Sequence, residues 1–342
     1  MDALKKERIA LEVIKTLKSR FDNFPEDALK NRNAPFHAAF LEAFKVKIEK
    51  YVTDIPIFVS LASWMHGLNT SVGQSFFENV AHVLCDGEKR KFHGMLINSH
   101  QQSTISNIIS SLKNGNRVPI LSKENDEIFF SLANGNVEAP NFSADVYYEE
   151  EDKIIMIELK TVKPNSDISR EQKTKFLNGK ASLKAKFPSK EIFFFLGFPF
   201  DPLHSKKCGY DKDRFFNYCV DFKKYFDHEE ILLADELWNF LSQETGTMEV
   251  ILSIINAIAK PDFMEEFKFI NDAKNIEIDN AKYSCILEKW FLQRELNVVN
   301  NFRVLKSQST EKKNMQRILS QSLFDSQNEY KENRINTLLN YL

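Results

Sequence analysis

The middle of the chain holds the pattern that most constrains the fold. Two segments rich in β-branched and aromatic residues, 143–148 and 153–159, are joined by the acidic residues 149–152. Two such segments with a short polar connection are typical of a β-hairpin. Further on, residues 191–196 are apolar throughout, as expected of a strand that is buried on both faces of a sheet.

A predicted helix separates the hairpin from the apolar strand. It covers residues 169–184, with Ser169 as its expected N-cap. Strands are also predicted at 127–132 and 231–234. Hairpin strands pair antiparallel, whereas strands joined through a helix pair parallel. The sequence therefore predicts an α/β fold with a mixed central sheet and a crossover helix.

Helical periodicity dominates both ends of the chain. We predict a mainly helical amino-terminal region over residues 1–125, a core over 126–245 and a helical carboxy-terminal region over 246–342. A helix at 73–85 is expected to pack on the core. Since no low-complexity linker separates these regions, we expect one compact unit rather than separable domains.

Composition limits the classes to which the protein can belong. Its 342 residues are 43% hydrophobic and 27% charged, the balance of a globular protein and not of a disordered or fibrous one. The net charge of −2 gives no overall basic field for nucleic acid. No C-x-x-C spacing and no apolar run of membrane-spanning length occur. We therefore expect a soluble, cytoplasmic protein with no disulfide framework and no membrane partner.

One edge of the predicted sheet carries charged side chains. Glu158 and Lys160 are two residues apart, so a strand points both to the same face, with Leu159 on the other. A turn at residues 151 and 152 places Asp145 of the neighbouring strand beside Glu158. We therefore predict that two carboxylates and one amine converge at this edge.

This set of groups suits metal-assisted hydrolysis of a phosphodiester. Carboxylates bind Mg²⁺, which polarises a phosphoryl oxygen and lowers the pKa of a bound water. A lysine can position or deprotonate the attacking water and neutralise charge in the transition state. The alternative is an ordinary solvated strand edge, the more frequent meaning of a Glu-x-Lys pattern that stands alone.

The charge of the following segment favours the hydrolytic interpretation. Residues 159–190 contain nine basic and two acidic residues, a net charge of +7 in a chain whose total is −2. A local concentration of lysine and arginine is typical of a surface that contacts the phosphate backbone of a nucleic acid.

Several segments resemble a known family of nucleases. Asp145 with Glu158-Leu159-Lys160 resembles the catalytic motif of the PD-(D/E)xK nuclease superfamily, although Ala144 stands where the motif name has proline. The segments ELKTVKPN, GFPFDP and ADELWNFLS, which begin at residues 158, 197 and 234, resemble in that order segments of TdeIII-like type II restriction endonucleases.

The resemblance implies a restriction-endonuclease-like fold and a Mg²⁺-dependent homodimer that cuts double-stranded DNA within a short palindrome of GGNCC type. The motif implies that Asp145, Glu158 and the backbone carbonyl of Leu159 hold the metal and that Lys160 is the catalytic lysine. Glu78, on a predicted helix, is either the additional helix carboxylate of many such enzymes or a surface glutamate.

Residues downstream of the motif are candidates for contacts with DNA. Arginine and lysine can bind guanine, and asparagine and glutamine can bind adenine. Half or more of protein–DNA hydrogen bonds nevertheless go to the backbone, so a phosphate contact or a solvated helix face is the simpler interpretation of each. Arg170 is left open between phosphate and guanine. The candidates are Lys163, Asn165, Arg170, Gln172, Lys173 and Lys175.

Two alternatives to a restriction endonuclease remain at this point. One is a catalytically silent DNA-binding or scaffold protein of the same fold, which the intact Asp145, Glu158 and Lys160 disfavour. The other is a nuclease of the superfamily that acts in repair or transposition. A restriction enzyme requires a cognate DNA methyltransferase to protect the host, so a neighbouring methyltransferase gene would discriminate between them.

Overall fold

The chain forms two compact units. The computed structural model describes residues 1–25, 39, 41, 43–48, 50, 55–130, 135–161, 164–309 and 313–342. The units are Met1–Phe76 with Ile251–Leu342, and Phe77–Val250. The boundaries predicted at residues 125 and 245 differ from this division. The prediction that these regions are not separable domains stays a prediction. Within the described ranges, no helix is long and apolar enough to cross a bilayer.

Helices make up most of the described chain. They are α1 Ala3–Asp22, α2 Lys45–Ile48, α3 Ile55–Ser71, α4 Phe77–Cys85, α5 Ser99–Lys113, α6 Leu121–Phe129, α7 Ser166–Lys186, α8 Lys212–Tyr218, α9 Phe222–Tyr225, α10 Asp235–Ser242, α11 Thr247–Ile258, α12 Phe263–Ile270, α13 Asn275–Ile278, α14 Asn280–Lys289, α15 Gln293–Asn300, α16 Phe302–Ser309, α17 Lys313–Leu319 and α18 Glu332–Leu339. The helix predicted at 73–85 is divided, because a π-helical turn, Val72–Phe76, precedes α4.

The second unit is built on a five-stranded mixed sheet. The strands among the described residues are β1 Glu88–Phe92, β2 Leu96–Ile97, β3 Val137–Glu138, β4 Phe142–Glu149, β5 Lys153–Leu159, β6 Glu191–Phe198 and β7 Ile231–Leu233. The main sheet has the order β1-β4-β5-β6-β7, and β2 pairs with β3. β1, β4 and β5 pair antiparallel, whereas β5, β6 and β7 pair parallel. The predicted α/β class with a mixed sheet is therefore confirmed.

Helix α7 is the crossover connection between β5 and β6. Asn165 is its N-cap, and the side chain of Asn165 accepts a hydrogen bond from the N–H of Ile168 at 2.9 Å. Asparagine is among the most favourable N-cap residues. The prediction of Ser169 as the cap is wrong, since Ser169 is buried inside the helix and donates its hydroxyl to the carbonyl of Asn165. Its role as the N-cap explains why an asparagine stands at position 165 without any contact to DNA.

The strand predicted at 127–132 is wrong. Its first residues end helix α6, and residues 131–134 lie outside the described part of the chain. Glu124 and Ile128 are buried on one face of α6, four residues apart. A short apolar run fits a buried helix as well as a strand, and the helical spacing becomes visible only when the upstream residues are included.

The first unit joins the two ends of the chain through ion pairs. Arg294 of α15 contacts Glu7 of α1 at 2.9 Å and Glu332 of α18 at 2.7 Å. Arg334 and Glu295 form a buried pair at 2.7 Å. A buried charge is tolerated when it is paired and hydrogen-bonded, so these arginines allow Glu7 and Glu295 to lie in the interior.

A second cluster of buried charges lies beneath α7. Lys173 contacts Glu124 at 2.5 Å and Glu230 at 2.6 Å, and none of these three side chains is exposed. Lys180 is 2% exposed and lies 3.6 Å from the other carboxylate oxygen of Glu230. The prediction that Lys173 contacts DNA is therefore wrong, because an enclosed ammonium group cannot reach a phosphate.

We expect Lys173→Ala to destabilise the protein by about 3–5 kcal/mol, because it leaves two buried carboxylates with a single ammonium group. Urea unfolding at neutral pH measures the change. Lys123→Ala is the matched control, since Lys123 is an exposed lysine next to Glu124, and a surface substitution usually changes stability by no more than about 0.5 kcal/mol. Equal free energies of unfolding for the two variants would contradict the buried network.

Candidate active site

The pairing of β4 with β5 brings two carboxylates together. The register that matches Val146 with Ile157 places Asp145 opposite Glu158, as the predicted turn at 151 and 152 requires. Asp145 accepts a hydrogen bond from the N–H of Leu159 at 3.0 Å, which holds its carboxylate against the neighbouring strand. The Asp145 and Glu158 side chains are 22% and 12% exposed, so they lie in a largely enclosed position that is open to water on one side.

Glu158 lies between two lysines. Its Oε1 is 2.8 Å from Nζ of Lys160 and its Oε2 is 2.6 Å from Nζ of Lys175. Burial opposes the ionisation of Glu158, but the charges of Lys175 and Lys160 outweigh burial and hold the pKa of this carboxyl below its usual value. Glu158 is therefore a carboxylate at neutral pH, with both oxygens engaged.

Asp145 behaves in the opposite way. Burial, and then the negative charge of Glu158, raise the pKa of Asp145 above its usual value. The negative charge of Glu158 thus opposes the ionisation of Asp145, and a divalent cation bound between the two carboxylates would favour it. Hard oxygen donors are the ligands that Mg²⁺ prefers, so these residues fit that ion.

A third carboxylate reaches the same edge through a lysine. Nζ of Lys89 is 2.7 Å from Glu78 of α4 and 3.5 Å from Asp145. The ammonium group therefore connects these two carboxylates. Of the two interpretations left open for Glu78, its position beside Lys89 and Asp145 favours the additional helix carboxylate over an isolated surface glutamate, and its role in metal binding stays a prediction.

Sequence reasoning missed two residues at this site. Lys89 lies in β1, where the pairing with β4 shifts register between Glu88 and Arg90, and such a bulge changes the direction of a side chain. His82 of α4 hydrogen-bonds the backbone carbonyl of Asp145 through Nε2 at 2.7 Å. No spacing in the sequence relates either residue to Asp145, because both contacts arise from packing across the sheet.

Comparison with known proteins agrees with this geometry. Residues 4–259 match the family model described as "Type II restriction endonuclease, HinfI", a range that includes the whole site. The chain belongs to the HinfI family of type II restriction endonucleases. The type II restriction enzyme MjaII of Methanocaldococcus jannaschii is 44% identical to it over an alignment of 348 residues, which covers 96% of this chain and 94% of MjaII. The resemblance to TdeIII-like enzymes is not confirmed.

Membership in the HinfI family makes the protein an endonuclease that acts on DNA. The alternative of a catalytically silent scaffold is therefore excluded. Restriction endonucleases are generally metal-dependent, which agrees with the paired carboxylates Asp145 and Glu158. The recognition sequence, the metal and the assembly are finer points that family membership leaves to proposals.

A cavity of about 690 Å³ opens beside Glu158 in this HinfI-family enzyme. Of the residues predicted to contact DNA, Arg170, Gln172 and Lys175 line it. Gln172 is only 7% exposed, and its side-chain oxygen has no hydrogen-bond partner within the described ranges. Lys163 lies outside the described residues. The structure thus brings part of the predicted DNA-contacting set to the site.

Lys89 would compete with a divalent cation for Glu78 and Asp145, because its ammonium group contacts both carboxylates. We expect Lys89→Met to bind Ca²⁺ more tightly than the unaltered enzyme by up to about fivefold, since a half-exposed ion pair is worth at most about 1 kcal/mol. Titration calorimetry without DNA measures this. Lys91→Met, an exposed lysine of the same strand, is the control. An unchanged or weaker affinity in Lys89→Met would show that Lys89 does not compete with the cation.

Proposed function

We propose that this HinfI-family enzyme is a Mg²⁺-dependent endonuclease that hydrolyses both strands of double-stranded DNA within a short palindrome. Asp145, Glu158 and the backbone carbonyl of Leu159 would hold the metal, and Lys160 would be the catalytic lysine. One observation carries the proposal: Asp145 lies opposite Glu158, and Lys160 contacts Glu158 at 2.8 Å, at one edge of the sheet.

Each residue has a definite task in this mechanism. Asp145, Glu158 and the Leu159 carbonyl would hold Mg²⁺, which when bound would supply a Lewis acid for the phosphoryl oxygen and the attacking water. Lys160 orients the attacking water or takes its proton, and its charge neutralises the negative charge that develops on the phosphoryl group. The water oxygen gives up a proton, to Lys160 or to solvent, and bonds to phosphorus; the bond to the leaving oxygen breaks, and that oxygen takes up a proton from solvent.

The hydrogen bond from Leu159 to Asp145 supports this role. It holds Asp145 in place before substrate binds, so little reorganisation is needed when the reaction begins. Lys175 contacts the second oxygen of Glu158 and lines the cavity beside it. Its position therefore suits a contact to a phosphate next to the one that is cut, as the sequence indicated for the basic segment.

The finer points of the proposal rest on the family resemblance and on symmetry. The recognition site in the DNA would be of GGNCC type, as the resemblance to TdeIII-like enzymes implies. Since each chain carries one set of Asp145, Glu158 and Lys160, cutting both strands of a palindrome calls for a two-fold homodimer, the commonest closed assembly. The enzyme would work in the cytoplasm beside a cognate DNA methyltransferase that protects host DNA.

We expect Asp145→Asn and Glu158→Gln each to lower the Mg²⁺-dependent cleavage rate by at least about a thousandfold, because each removes a charged metal ligand. Binding of DNA in the presence of Ca²⁺ should persist. Gel-based cleavage and fluorescence anisotropy measure the two quantities. Glu151→Gln, in the exposed hairpin turn, is the matched control and should cut at the parental rate. Substantial cleavage by either site variant would overturn the assignment of the metal ligands.

We expect the enzyme to bind its site as a dimer and to convert a supercoiled plasmid with one site directly to the linear form. Each chain has one active site, so a pair of chains addresses both scissile phosphates. Light scattering of the DNA complex and the time course of plasmid forms test this. One chain per site, together with accumulation of nicked circles, would contradict the dimer and would favour a nuclease that acts in repair.

A further inference from the structure

Two adjoining cavities form one groove that leads away from the active site. The first, beside Glu158, has a volume of about 690 Å³, and the second, along helix α5, has a volume of about 530 Å³. They share lining residues Pro140, Arg170, Thr174 and Asn178. We call this continuous surface between α5, α7 and the segment before β4 the α5–α7 groove.

The exposed face of α5 is unusual in composition. Its exposed side chains are Ser99, His100, Gln102, Ser103, Ser106, Asn107, Ser110 and Lys113, so no acidic residue and a single lysine, at the last position, are among them. Solvated helix faces usually carry many lysines and glutamates. Short amide and hydroxyl side chains instead supply hydrogen-bond donors and acceptors with little conformational entropy to lose. Of this set, Gln102, Ser106, Ser110 and Lys113 line the groove.

Two groups in the groove have unused hydrogen-bonding capacity. The side-chain oxygen of Gln172 is buried, and no partner for it exists in the described part of the chain. A buried acceptor without a partner costs free energy, so a donor from a ligand would stabilise it. The hydroxyl of Ser106 donates to the carbonyl of Gln102 at 2.9 Å, which leaves the lone pairs of its oxygen to accept.

The charges of the groove do not suit a channel for the phosphate backbone. Arg170, Lys175 and Lys113 are balanced by acidic lining residues, among them Glu138, Asp167 and Glu171. A phosphate-binding surface would carry a net positive charge. A mixture of donors and acceptors instead matches base edges, since arginine can bind guanine, carboxylates can accept from cytosine, and amides and hydroxyls can bind several bases.

We propose that the α5–α7 groove reads the base sequence next to the scissile phosphate, with Gln102 and Ser106 of α5 and Arg170 and Gln172 of α7 as its contacts. The proposal rests on the endonuclease function proposed above. It resolves the open question about Arg170 in favour of a base, because Arg170 lies where the two cavities meet and pairs only loosely with Asp167, at 3.3 Å. Its planar fork suits the paired acceptors of guanine.

The test compares groove residues with neighbours on the same helix. The cognate duplex is the one that the unaltered enzyme cuts fastest with Mg²⁺ in a random-sequence library, and a scrambled duplex of the same composition is the reference. Affinities are measured with Ca²⁺ at several salt concentrations. Gln102→Ala, Ser106→Ala and Arg170→Ala are the groove variants. Ser103→Ala and Asn107→Ala are matched controls, since both residues are exposed on α5 and neither lines the groove.

We expect Gln102→Ala and Arg170→Ala to weaken cognate binding by roughly tenfold or more, the effect of a lost base contact, and to leave scrambled binding and the salt slope unchanged. Ser106→Ala should act in the same direction, and the controls should match the parent. Groove variants that equal the controls, or that lose affinity equally on both duplexes with a lower salt slope, would overturn the inference. A parent enzyme that cuts and binds no duplex would overturn the proposed function itself.

Discussion

The register between β4 and β5 is the constraint on which the site depends. Residues in a strand alternate faces, so a shift of one residue would move every side chain to the opposite face. In the observed register Val146 faces Ile157, and Asp145 therefore lies across from Glu158, with its carboxylate bound to the N–H of Leu159. The same pairing buries the apolar residues of both strands. The interactions that stabilise the core thus also place the carboxylates.

Helix α7 serves both the core and the cavity, and its two faces are chemically distinct. On the buried face, Lys173 and Lys180 contact Glu230, and Gly179 lies so close to the ring of Phe194 in β6 that a Cβ atom there would overlap it. Those contacts set the position of the helix on the sheet. On the other face, Lys175 reaches Glu158 at 2.6 Å. The buried ion pairs beneath α7 therefore help to place the ammonium group of Lys175 beside Glu158.

The sequence predicted much of the fold and the convergence of Asp145, Glu158 and Lys160. The hairpin, the parallel strands and the crossover helix followed from local patterns, since alternation and apolar runs report burial directly. Asp145, Glu158 and Lys160 followed from spacing within one hairpin. The prediction of a strand at 127–132 is wrong because a short apolar run does not distinguish a strand from a buried helix. The family itself is confirmed as that of a type II restriction endonuclease, whereas the TdeIII-like label is not confirmed.

The net charge of a sequence segment does not give the charge that the folded segment presents at the surface. The sequence by itself determined most of the local elements and the identity of the carboxylate pair, because both depend on residues that are neighbours along the chain or across one turn. Only the tertiary structure decided that Lys173 is enclosed between Glu124 and Glu230, that Lys89 joins the site, and that α5 lies along the cavity beside α7. Such contacts join segments far apart in sequence, and burial depends on everything that packs around a residue.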